Sequence, residues 1–75
     1  MEVAEENLKA ARTTLREAEN EVREIEADIE EASTIGDRDW SESLQKQLEM
    51  SLRMVQRIRQ AVKVEEELVR HAQPN

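Results

Sequence analysis

The sequence predicts an all-α chain folded as an antiparallel two-helix, coiled-coil-like hairpin. Three observations carry that prediction: a composition rich in charge and almost free of aromatics, a heptad seam in each half, and the chain's one glycine between the halves. Charged residues make up 39% of the 75 residues and aromatic residues 1%, with one Gly and one Pro. This is the profile of long helices or coiled coils, and it argues against β structure.

In the first half the small and apolar residues fall at Ala4, Leu8, Ala11, Leu15, Ala18, Val22, Ile25, Ile29 and Ala32, in alternating steps of four and three. That spacing predicts a helix over about 3–33 with one narrow apolar seam. The frequent Ala lets a neighbouring backbone approach closely. The seam stops at Ser33-Thr34-Ile35-Gly36-Asp37, where glycine can take the left-handed conformation that ends helices, so a turn is expected at about 34–38. Asp37 or Asp39 is a suitable N-cap for a second helix over about 39–72, and Asp39 with Glu42 has capping-box spacing. Arg70 and His71 suit the negative end of the helix dipole, and Pro74 prevents continuation.

Helix 2 repeats the seam at Leu44, Leu48, Ser51, Val55, Ile58, Val62, Glu65 and Val69. With only a few residues between them, the helices must fold back on each other as one hairpin domain over 1–75. Pairing Leu44 with Ile25, Leu48 with Val22, Val55 with Leu15, Ile58 with Ala11 and Val62 with Leu8 centres the turn near residue 35. A register one heptad away demands a longer loop.

Helix 2 carries a second apolar stripe about 100° around from the first, formed by Trp40, Met50, Met54, Ala61, Val64 and Leu68. A chain this short buries little core, and without Cys it has no disulfide or thiolate metal site to hold it. The stripe is therefore expected to meet a partner, in the simplest case a second copy that completes a four-helix bundle, or else another helical protein. The narrower alternative is that Met50 and Met54 widen the intramolecular seam while Trp40 folds over the turn. In layout, a dimer of hairpins resembles the Rop family. Rop-type proteins bind RNA through basic and aromatic residues on one helix face, whereas helix 1 here is acidic and lacks Phe and Tyr, so no residue role carries over.

The net charge of −7 lies entirely in residues 1–36, which hold eleven acids and four bases, against seven of each in residues 37–75. Folding at the turn sorts the charge into bands: acidic at the turn end, basic in the middle, and acidic at the open end. The middle band holds Lys9, Arg12, Arg16, Arg53, Arg57, Arg59 and Lys63, faced by Glu17 alone. An unstaggered dimer would stack the basic bands, so a staggered copy or a partner with an acidic middle is favoured. Some charge is expected to pair within a helix at four-residue spacing, as in Glu19 with Arg23 and Glu66 with Arg70.

The expected function is a non-enzymatic protein–protein interaction or oligomerisation module, a scaffold self-associating through helix 2. The alternative site is the basic band, binding a polyanion or nucleic acid. Its case is thin, because the band has no stacking aromatic and the sequence pI is about 4.7. No catalytic group, cofactor or metal site is expected. His71 is the lone His and suits a helix end, Glu67 and His71 would make only a weak two-ligand pair, and the helix 1 acids are spread by the helix rather than gathered on a calcium loop. No signal peptide, membrane span or basic amphipathic face is visible, so the chain is expected to be soluble and without membrane contact. Absence of Cys fits an intracellular, reducing compartment without fixing the location. The Gln73-Pro74-Asn75 ending has a linker's character and fits a module of a larger coiled-coil protein. The regular heptads equally fit a de novo design without biological function, while Thr13-Thr14, Asn20 and the mixed Gln and Met usage look natural.

Overall fold

A computed structural model describes residues 3–72, and all of these are helical except Gly36 and Asp37. Helix α1 spans Val3–Ile35 and α2 spans Arg38–Ala72, packed side by side in a rod of 58 × 15 × 14 Å. Glu2, of the open-end acidic band, and Pro74, expected to stop α2, lie outside the described residues.

The turn is tighter than the sequence pattern suggested. Thr34, Ile35 and Arg38, expected in the turn, are helical, with the Thr34 hydroxyl donating to the Glu30 carbonyl at 2.9 Å. Gly36 ends α1 at φ +78°. Its N–H donates to the Ser33 carbonyl (3.2 Å), and the Asp37 N–H donates to the Ala32 carbonyl (2.9 Å). These two bonds form the Schellman pattern that satisfies the last carbonyls of a helix. Asp37 then caps α2: its Oδ1 accepts the Trp40 N–H at 3.0 Å, and its carbonyl accepts the first helical bond, from Ser41 N–H. Asp37 rather than Asp39 is therefore the N-cap, and Asp39 sits in the first turn, where a negative charge suits the dipole.

Gly36 has nothing within 4 Å of where a Cβ would lie, so substitution there is penalised by backbone conformation alone. Gly36→Ala is expected to cost about 1 kcal/mol in urea unfolding followed by circular dichroism, and Gly36→Asn less, since Asn tolerates the left-handed region. Equal stabilities for the three proteins would mean that this conformation is not required.

The two-residue break centres the turn between Gly36 and Asp37, later than the residue 35 assumed from pairing, and so shifts the register by about half a heptad. Counted outward from that centre at equal rise along both helices, Ile29 comes level with Leu44, Ile25 with Leu48, Val22 with Ser51, Ala18 with Val55, Leu15 with Ile58, Ala11 with Val62 and Leu8 with Glu65. Leu44 accordingly clusters with both Ile25 and Ala32, with Ile29, Leu48 and Trp40 packed around them. Every seam position of both helices is buried or half-buried. The fully apolar core is nevertheless small: among the described residues only Leu8, Ile25, Ala32, Leu44, Val55 and Val62 are buried.

Candidate protein-interaction surface

The apolar stripe of α2 lies one step around the helix from the seam. Met50 is 68% exposed, Met54 55%, Val64 57% and Leu68 51%, and Ala61 is exposed between them. The cause is geometric. Residues at these heptad positions point away from α1, and a single neighbouring helix covers only one stripe of α2. Met50 and Met54 therefore do not widen the intramolecular seam.

Trp40 departs from the other five. It is half-buried and packs on the Ile25, Ala32 and Leu44 cluster, next to the Asp37 cap that holds its backbone N–H. Its position in the first turn of α2 brings the indole over the end of the seam, so it closes the core and does not extend the exposed stripe.

Between the stripe and α1 runs a shallow groove lined by Ala18, Ser51, Met50, Met54, Glu21 and Arg57. Its floor is low because two adjacent seam positions are occupied by the small side chains Ala18 and Ser51. The signal for it was present in the sequence as two small seam residues, Ala18 and Ser51, on facing helices.

No protein-family model, curated protein or solved structure matches this chain. Its functional reading therefore rests on its own surfaces.

The basic band draws on both helices. Lys9, Arg12 and Arg16 line a groove with Leu8 and Val69, while Arg53, Arg57, Arg59 and Lys63 line a separate one with Gln56 and Gln60 on α2. Two of the seven cations are engaged by carboxylates across the seam, Arg12 with Glu66 and Arg59 with Glu19, each at 3.2 Å. Glu19 and Glu66 thus reach the opposite helix instead of Arg23 and Arg70 on their own. Arg23 donates to Asn20 Oδ1 at 3.0 Å, and Arg70 pairs with Glu67 at 2.9 Å. These interhelical pairs join the edges of the hairpin in the shifted register, but as exposed pairs they add little stability.

At the open end Glu65 occupies a seam position level with Leu8, and its Oε2 is buried without a hydrogen-bond partner among the described residues. Glu67 pairs with His71 at 3.6 Å as well as with Arg70. Among the described residues no group of three or more His, Cys, Asp or Glu is placed to hold a metal ion. No described helix is long and apolar enough to cross a membrane.

Proposed function

We propose that this chain is a non-enzymatic protein–protein interaction module, a helical hairpin that self-associates through α2. The observation that carries the reading is the exposed row of Met50, Met54, Val64 and Leu68, each more than half accessible on one face of a helix whose other apolar face is already used. An exposed apolar row of this kind, interrupted by Arg57, is unfavourable in water, and covering it with a second hairpin enlarges a core that holds only a handful of buried side chains. For whole copies of a two-helix hairpin, a dimer with four helices is the smallest assembly in which each helix has neighbours on two sides. A polyanion site receives less support, because two of the seven cations are paired with carboxylates and the band has no stacking aromatic.

Sedimentation equilibrium tests the reading. The wild-type chain is expected to approach the mass of a dimer at micromolar concentration and to dissociate on dilution. Met54→Glu places a charge in the stripe and is expected to weaken association at least tenfold. Leu52→Glu lies on the other side of α2, beside Glu19 and Arg59, and is expected to leave association unchanged. A strictly monomeric wild type, or equal effects of the two substitutions, would refute the assignment.

A further inference from the structure

The exposed row of α2 has an internal symmetry. Met50 and Leu68 are equally far in sequence from Arg59, and so are Met54 and Val64. An interface between two identical surfaces about a twofold axis accommodates such an arrangement, because residue i meets j wherever j meets i. We propose that the occupant of this face is a second copy of the chain. Its α2 runs antiparallel to the first across a twofold axis at the level of Arg59 and Gln60, with Met50 against the partner's Leu68 and Met54 against the partner's Val64. The proposal rests on the self-association reading above and specifies its geometry.

The layer nearest the axis sets the small Ala61 beside the partner's Arg57, whose aliphatic stem can cover it while the guanidinium reaches water. Arg53 and Glu67 occupy one edge of the row, symmetric about Gln60, so each Arg53 faces the partner's Glu67. Opposite charges flanking an apolar seam fix register in this way.

The hairpin register adds an independent argument from α1. Thr14 is level with Arg59, so the same axis sets Glu17, Glu21 and Glu24 level with the partner's uncharged Ala11, Asn7 and Ala4. An axis at the midpoint of the hairpin would instead press Glu17 and Glu21 against the same residues of the partner. The basic band no longer opposes such a dimer. Arg12 and Arg59 point to the far edge of the hairpin, where they hold Glu66 and Glu19, and within the row itself Arg57 is the one base.

The chain has no Cys, so a single introduced Cys carries a spin label cleanly. Double electron–electron resonance on the full chain labelled at Gln60→Cys and, separately, at Lys46→Cys reads the axis directly. Gln60 is expected to give an inter-copy distance of about 20 Å, an interaxial spacing of roughly 10 Å plus the label arms. Lys46 is expected to give about 40 Å, from the rise per residue along two opposed helices. A Lys46 distance below about 30 Å, as when each Met54 meets the partner's Met54, or short distances at both sites, as in a parallel pair, overturns the twofold placement and leaves self-association standing. A monomeric mass with no inter-copy distance at either site overturns both.

Discussion

Leu44→Ala is expected to destabilise the hairpin by about 3 kcal/mol, the usual cost of emptying a buried leucine site. Leu44 is 5% exposed and belongs to the apolar cluster it forms with Ile25 and Ala32 of α1, against which Ile29, Trp40 and Leu48 pack. The turn end cannot collapse around the cavity, since the Gly36–Asp37 cap pins both helices a few residues away. In a chain with so small a core, a loss of this size is comparable to the whole stability of a small domain. The expected outcome is a molecule largely unfolded at physiological temperature, read as a shifted urea midpoint by circular dichroism at fixed protein concentration. Leu52→Ala, at a site already 44% exposed, is the control and is expected to change stability by about 0.5 kcal/mol or less. A Leu44→Ala loss as small as the control's would mean that the turn-end cluster does not hold the hairpin together.

The opposite sign is expected at the other end of the seam. Glu65 takes a position that heptad geometry points at α1, level with Leu8, and one of its carboxylate oxygens is buried without a partner. Leu at this position removes an unsatisfied polar atom and extends the apolar contact by about one layer. Glu65→Leu is therefore expected to stabilise the hairpin by about 2 kcal/mol, a rise of roughly 8–16 °C in the thermal midpoint for a domain this size. Glu66→Leu, one residue on, is expected to give no such gain, since it removes the 3.2 Å pair with Arg12 at the seam's edge. An unchanged or lowered midpoint for Glu65→Leu would show that the helices do not meet closely at the open end. Both variants need comparison at one protein concentration, because association shifts apparent stability by mass action.

These sites also show why some features were legible in the sequence and others were not. The seam residues could be assigned because heptad spacing on a helix leaves one face for the neighbour, whatever that neighbour is. The exposed stripe followed from the same arithmetic for Met50, Met54, Ala61, Val64 and Leu68. Trp40 was misplaced because its spacing belongs to the stripe while its position, three residues after the cap, lets a large ring lie over the end of the core. Seam spacing alone leaves the pairing register open by half a heptad, because steps of four and three match at either offset, and the position of the helix break chooses between them. A helix that runs on to Ile35 moves the turn centre, and each residue of that shift moves the pairing by two.

The sequence alone determined two helices, a break at the chain's one glycine, an antiparallel return and the identity of the inward faces, because these depend on local spacing and local backbone preference. Only the tertiary structure decided which residues stand level across the seam, that Glu19 and Glu66 pair across rather than along their helices, and that Ala18 and Ser51 leave a groove beneath Met50 and Met54. Those outcomes depend on where two rigid rods are joined. A shift of between one and two residues at the turn is slight in sequence, but it is carried along the whole length of a hairpin 58 Å long.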